Sequence, residues 1–158
     1  MKFFPGFSRR KISTSGARIN LVTGGKGPAV LLLHGYPETH VMWHKVAPAL
    51  ARDYTVVCAD LRGYGDSGKP DGGENHAGYS KRAMAADQVE VMRALGFPRF
   101  RLAGHDRGAR VVHRLFDPIA DWRTVATDVR GKALPAGHFR AEEAPEETLA
   151  ELLMFFAG

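Results

Sequence analysis

Cysteine is almost absent from this sequence, which contains a single one, Cys58, among 158 residues. One thiol excludes an intramolecular disulfide framework and a zinc site built from several thiolates. Cys58 lies within the apolar run VVCA at 56–59. We therefore predict that it is a small buried residue of the core.

Long apolar runs are missing as well. No segment approaches the roughly 18 consecutive apolar residues that a membrane-spanning helix needs. The opening segment MKFFPGFSRRKIS has no apolar stretch of the ~7 to 15 residues typical of a signal peptide. We expect a cytoplasmic protein that does not bind membranes.

Extended clusters of basic charge are also lacking, although 22 Lys and Arg against 17 Asp and Glu give a net charge of +5. The basic residues are scattered, and no basic stripe with interleaved aromatic residues is present. We expect no binding to nucleic acid.

The sequence does contain an alternation of strand-like and helix-like segments. The run PAVLLLHG (28–35) is continuously apolar up to its end, as in a strand buried on both faces of a parallel sheet, and YTVVCADLRG (54–63) is a second buried run. Further strands are predicted at 18–22 and 99–104, a loop at 63–78, and helices at 42–51, at 80–96 and over HFRAEEAPEETLAELLMFF. The chain is long enough for one hydrophobic core, so we predict a single α/β domain with a mostly parallel sheet flanked by helices.

The segment GHDRG at 104–108 follows a predicted strand and precedes a helical pattern. This context is typical of a nucleophile elbow, in which Gly104 and Gly108 permit a tight turn and the middle residue is exposed at the end of the sheet. Asp106 occupies that middle position. A carboxylate is already ionised at neutral pH and can attack an alkyl carbon that bears a leaving group, giving an ester that water must then cleave. The alternative is that Asp106 only caps the following helix.

Two further segments fit the same chemistry. His34 and Gly35 end a buried strand, and their loop can place the backbone N–H of Tyr36 opposite the elbow. Together with the N–H of Arg107, it would form an oxyanion hole for ester hydrolysis. His138 follows a glycine in a loop and is the candidate general base, the alternative being an ordinary surface histidine.

The sequence resembles the α/β-hydrolase superfamily and, within it, the haloacetate (fluoroacetate) dehalogenases. The resemblance rests on the blocks LLLHGYPETHVMWHKVAPAL, YTVVCADLRGYGDSGKP, LAGHDRGARVVHRL and LFDPIADWRTVATDVRGKALPAGHFRAEEAPEE. In epoxide hydrolases and haloalkane dehalogenases the residue after the nucleophile is typically tryptophan, whereas the haloacetate enzymes have arginine there and again three residues later. The resemblance implies that Arg107 and Arg110 bind the substrate carboxylate, which two guanidinium groups one helical turn apart can do. The alternative is that both are solvated helix residues.

The resemblance also indicates a missing segment. In the family, the elbow helix is followed by a core strand with the catalytic acid, a helical cap domain and a further core strand. Here RVVHRL runs directly into FDPIADW, so we interpret the junction near 114–115 as an internal deletion of the cap and two core strands. The core is accordingly divided into an N-terminal part, 1–115, with the elbow, and a C-terminal part, 116–158, with the histidine loop.

The deletion leaves several family residues without a counterpart. His138 follows Asp106 by only 32 residues, so the strand near GKALPA must move next to the strand before Asp106 if His138 is to approach it. No acid matches the family position, and the cap residues that bind halide cannot be assigned. The candidates for the acid are Asp117, Asp121 and Asp128, of which Asp117 precedes a proline and fits a helix cap better. His44, His113 and Trp122 belong to other blocks and are not expected to replace the halide ligands.

The favoured function is therefore displacement of halide from a 2-haloacid through an ester of Asp106, giving a 2-hydroxy acid, with no metal and no organic cofactor. A non-catalytic remnant that only binds a partner is the second hypothesis. The third, an epoxide hydrolase, is disfavoured by Arg107 and by the loss of the cap. Exposed strand edges would favour a homodimer.

Overall fold

The computed structural model describes residues 2–116 and 137–157. Their central element is a five-stranded mixed sheet in the order β1-β2-β4-β3-β5. Strands β3, β4 and β5 are parallel, whereas β1 and β2 are antiparallel to their neighbours. The strands are β1 (Ser8–Ser13), β2 (Arg18–Gly24), β3 (Ala29–Leu33), β4 (Thr55–Ala59) and β5 (Arg101–Gly104). The expected parallel arrangement thus holds for the three strands next to the elbow, and the fold is of the predicted α/β class.

Helices cover both faces of this sheet. They are α1 (Ala47–Leu50), α2 (Lys81–Ala94), α3 (Arg107–Phe116), α4 (Arg140–Glu143) and α5 (Pro145–Ala157), with 3-10 helices at His40–Trp43 and Glu74–Tyr79. Leu31 and Leu33 of β3 pack towards α2 and α3, while Val30 and Leu32 pack in the other core cluster, with Phe156 of α5. Because successive strand residues point to opposite faces, a strand covered on both sides must be apolar throughout. This burial on both faces is the reason why β3 was predicted from a continuous apolar run.

Two helix predictions need correction. The helix predicted at 42–51 is a 3-10 helix, His40–Trp43, followed by the single turn of α1. Pro48 lies in that turn and cannot donate a backbone hydrogen bond to a longer helix. The predicted C-terminal helix is two helices, which meet before Pro145, because the residue preceding a proline is disfavoured in helical conformation. The loop predicted at 63–78 likewise ends within a 3-10 helix, Glu74–Tyr79.

The predicted helix at 80–96 and the predicted burial of Cys58 agree with the described residues. Helix α2 begins after Ser80, whose side chain accepts a hydrogen bond from the N–H of Ala83. Cys58 is fully buried as a free thiol. None of the helices in 2–116 and 137–157 has the length and apolar character needed to cross a membrane. The predicted strand near GKALPA and the junction-side residues 117–136 lie outside the described part.

A buried carboxylate organises the chain after β4. Asp60 accepts hydrogen bonds from the backbone N–H and the Nδ1 of His40, each at 2.7 Å, and from Asn20 at 2.8 Å. Burial acts to raise the pKa of Asp60, but the hydrogen bonds from His40 outweigh it and hold the pKa at about 2. Asp60 therefore stays ionised and joins β2, the end of β4 and the first 3-10 helix.

Candidate active site

The elbow turns sharply between β5 and α3, and the close approach of backbone atoms at this turn requires glycine at both 104 and 108. A Cβ on Gly108 would lie 2.4 Å from the carbonyl oxygen of Leu33, and one on Gly104 would lie 2.7 Å from the carbonyl carbon of Gly108. Asp106 between them has φ of +44°. A non-glycine residue in this region costs about 1–3 kcal/mol and is kept where the surrounding structure imposes it. The predicted strand–turn–helix context is present.

The carboxylate of Asp106 faces the loop that follows β3. Its Oδ2 accepts a hydrogen bond from the N–H of Tyr36 at 2.9 Å. Gly35 allows this approach, since a Cβ there would lie 2.8 Å from the Cβ of Asp106. Partial burial acts to raise the pKa of Asp106, but the hydrogen bonds from the N–H groups of Tyr36 and Arg107 and the nearby His138 and His105 outweigh it, so that the pKa is lowered. The two N–H groups predicted for an oxyanion hole thus both bind this carboxylate.

His34 fixes this loop from inside the protein. The ring is fully buried, its Nδ1 donates to the carbonyl of Gly35 at 2.7 Å, and its Nε2 accepts from the N–H of Leu61 at 3.0 Å. Burial lowers the pKa of His34 and keeps the ring neutral. It is a structural link between the loops after β3 and β4, not a group that faces the site.

His138 lies in the same site. Its Nε2 is hydrogen-bonded to the carbonyl oxygen of Tyr36, and its ring packs edge-on against His105 with 5.1 Å between ring centroids. A carbonyl can only accept, so Nε2 carries a proton in this hydrogen bond, and in the neutral form of the ring Nδ1 is the nitrogen with a free lone pair. The side chain is exposed. The imidazole is therefore accessible to water beside the Asp106 elbow.

Sequence reasoning missed two members of the site, Glu38 and His105. Glu38 is buried, accepts a hydrogen bond from the N–H of Gly35 through Oε2, and lies 3.7 Å from the Nε2 of His105 through the same oxygen. Burial raises the pKa of Glu38 and lowers that of His105. Both residues were visible in the sequence, next to motif positions, but no periodicity or spacing relates position 38 to position 105.

The two arginines are exposed at the start of α3. The Cζ of Arg107 lies 4.8 Å from the centroid of the Tyr36 ring, a cation–π contact that orients the guanidinium. Lys81, at the start of α2, is a third cation here: burial lowers its pKa, and the positive charges of Arg107 and Arg110 lower it further. Positive charge therefore surrounds the Asp106 carboxylate on the α2–α3 side.

The acids considered for orienting the imidazole cannot be placed. Asp117, Asp121 and Asp128 fall in residues 117–136, outside the described part of the chain. Of the carboxylates in the described part, Glu38 is grouped with His105 and His138 through atoms within 4.8 Å of one another. The negative charge of Glu38 and the positive charge of a protonated His138 attract each other.

Known proteins share both the sequence and the fold. The family model described as alpha/beta hydrolase fold matches residues 28–118. The chain is 62% identical to a fluoroacetate dehalogenase from Burkholderia sp over 71% of this chain and 37% of that protein. It is 43% identical to a soluble epoxide hydrolase from Corynebacterium sp. (strain C12) over 61% of this chain and 32% of that protein.

A solved structure from Nostoc sp PCC 7120, provisionally assigned to the α/β hydrolases, is 31% identical and superposes with a TM-score of 0.84, covering 95% of this chain and 98% of that one. The chain spans about a third of the length of the fluoroacetate dehalogenase and of the soluble epoxide hydrolase. Because the family model covers more than half of the sequence and includes the whole elbow, the chain belongs to the α/β hydrolase fold family.

Proposed function

We propose that this hydrolase-family chain displaces halide from a 2-haloacid by means of an aspartyl-ester intermediate. The observation that carries the proposal is the elbow carboxylate of Asp106, ionised and bound through Oδ2 by the N–H of Tyr36. The 62% identity to a fluoroacetate dehalogenase supports the choice of substrate class.

The first step is attack on the halogen-bearing carbon. Because Oδ2 accepts the hydrogen bond from Tyr36, Oδ1 is the oxygen that forms the new C–O bond, and the C–X bond breaks with its electron pair leaving on the halide. The guanidinium groups of Arg107 and Arg110 would bind the substrate carboxylate and hold the carbon near Oδ1. The product of this step is an ester whose carbonyl oxygen is Oδ2.

The second step is hydrolysis of that ester. The unprotonated Nδ1 of His138 takes a proton from water as the water oxygen bonds to the ester carbonyl carbon of Asp106. Negative charge then develops on Oδ2, where the N–H groups of Tyr36 and Arg107 stabilise it. The bond from that carbon to Oδ1 breaks, and the 2-hydroxy acid leaves after taking a proton. The Asp106 carboxylate is restored with one oxygen from water, and one proton is released overall.

Glu38 replaces the acid that the family places after a missing strand. Its buried carboxylate stabilises the imidazolium that His138 becomes when it accepts a proton. Neither step requires a metal ion or an organic cofactor.

The test is halide release from fluoroacetate and from chloroacetate by the purified chain. We expect release by the native sequence and by Asp53→Ala, an exposed control, and none by Asp106→Ala. No release by the native sequence would contradict the proposal and leave a chain that only binds other molecules.

An epoxide hydrolase is the second candidate, because the chain is also 43% identical to a soluble epoxide hydrolase. The cations Arg107, Arg110 and Lys81 favour an anionic substrate over a neutral epoxide. Hydrolysis of styrene oxide without halide release from haloacetates would reverse this order.

A further inference from the structure

A cluster of three side chains beside the elbow includes two buried polar atoms that have no hydrogen-bond partner. Glu38, His105 and His138 each offer one ligand atom, and these atoms lie within 4.8 Å of one another. The Oε1 of Glu38 and the Nε2 of His105 are both buried and have no hydrogen-bond partner. The side chain of Glu38 is only 4% exposed. Buried polar atoms of this kind are rare, and a bound ion is one of the standard reasons for them.

We propose that Glu38, His105 and His138 bind one divalent transition-metal ion of the Zn²⁺ class. Two imidazole nitrogens and one carboxylate oxygen form a ligand set that Zn²⁺ takes, with a fourth position left for water. This site is additional to the proposed dehalogenation, and its existence does not rest on that proposal.

The spacing of the ligand atoms suits such an ion. Ligands at about 2.0–2.1 Å from a tetrahedral Zn²⁺ lie roughly 3.4 Å from one another. The Oε2 of Glu38 and the Nε2 of His105 are already 3.7 Å apart. His138 is exposed, so its ring has room to turn towards the other two. Only this ligand has to move appreciably.

The charges around the cluster also favour a cation. The carboxylates of Glu142 and Asp106 lie close enough to Glu38 to repel its negative charge, so an added positive charge would be stabilising.

Binding is measured directly by calorimetric titration of the EDTA-treated full chain with Zn²⁺. The visible absorption of a Co²⁺ complex reports a tetrahedral site independently. We expect one ion per chain, with the dissociation constant raised at least tenfold in both Glu38→Gln and His138→Gln. The control His76→Gln removes an exposed histidine outside the cluster and should bind as the native chain does.

His138→Gln decides the matter, because an exposed side chain can be replaced without loss of the fold, as far-UV circular dichroism will verify. No saturable binding by the native chain, or equal dissociation constants for the native chain and His138→Gln, would overturn the site. Where halide release is observed, saturating Zn²⁺ should abolish it and EDTA should restore it, since the ion occupies the imidazole that activates water. Zn²⁺ binding without any halide release would contradict the proposed function alone.

Discussion

The N–H of Tyr36 and the Oδ2 of Asp106 are 2.9 Å apart, although 70 positions separate the two residues in the sequence. This hydrogen bond distinguishes the two oxygens of the carboxylate. In the proposed reaction, Oδ2 becomes the ester carbonyl oxygen and Oδ1 is the oxygen that attacks. The proposed pathway therefore makes a specific statement about where the oxygen of water goes.

With enzyme in excess over chloroacetate in water enriched in oxygen-18, one turnover should place the label in the Asp106 carboxylate. The 2-hydroxy acid released in that turnover should be unlabelled, because its hydroxyl oxygen comes from Asp106. Mass spectrometry of the proteolytic peptide that contains Asp106 measures this, and the peptide that contains Asp53 serves as its control. Label found first in the hydroxy acid would mean that water attacks the substrate directly.

Removing the guanidinium of Arg107 should weaken binding of the anionic substrate specifically. Hydrogen bonds to a charged group contribute about 1.5–3 kcal/mol, so we expect Arg107→Gln to raise KM for chloroacetate by roughly 10- to 100-fold. The neutral analogue chloroacetamide should show little change in KM. Arg93→Gln, which removes an exposed cation from α2, is the control. An equal increase in KM for chloroacetate and chloroacetamide would indicate damage to the fold and not the loss of carboxylate recognition.

Asp60 should make stability depend on acid pH. Its pKa is lowered from 3.8 to about 2, so its stabilising contribution is present above about pH 4 and is lost as the pH falls through about 2. This corresponds to about 2 kcal/mol of unfolding free energy. Near neutral pH, Asp60→Asn should have a lower free energy of unfolding than the native protein. On acidification this free energy should decrease less in the variant, as measured by denaturant titration at several pH values. Asp53→Asn should follow the native curve, and an unchanged pH dependence in Asp60→Asn would contradict the assignment.

Gly108 should not tolerate even one added carbon. The Cβ of alanine there would meet the backbone carbonyl oxygens of Leu33 and His34 at 2.4 and 2.6 Å, and neither can move without shifting β3. We expect Gly108→Ala to lower the unfolding free energy by about 2 kcal/mol or more. In the control Gly137→Ala, the added carbon would meet only the carboxylate end of Glu143, which can turn away. Thermal unfolding that is the same for both variants would refute this account of the elbow.

Much of the fold could be predicted from the sequence because burial leaves a clear pattern. Strands β3 and β4 are buried on both faces and read as unbroken apolar runs. Strand β1 was missed, since its residues are almost all exposed and carry no alternation of apolar and polar side chains. It forms because its backbone pairs with the next strand, β2, across the short connection 14–17, and this pairing leaves no pattern in the side chains of β1.

The residues of the site likewise fall into those that a local sequence motif predicts and those that only the fold brings together. Asp106 and its glycines form a local motif, so they could be predicted from a five-residue segment. Glu38 and His105 could not, because the parallel pairing of β3 with β5 is what brings the ends of these two strands together. His138 could be proposed from its loop position after a glycine and downstream of Asp106, but a loop histidine has no local pattern that separates it from an ordinary surface histidine.

The fully buried ring of His34 has a mechanical consequence for the residue two positions later. One imidazole nitrogen holds the carbonyl of Gly35 while the other receives the N–H of Leu61. The loop after β3 is thereby anchored to the chain after β4 in the resting protein, before any ligand arrives. The direction of the Tyr36 N–H is set in advance, so in the proposed ester hydrolysis a charge on Oδ2 would be stabilised by a dipole that does not need to reorient.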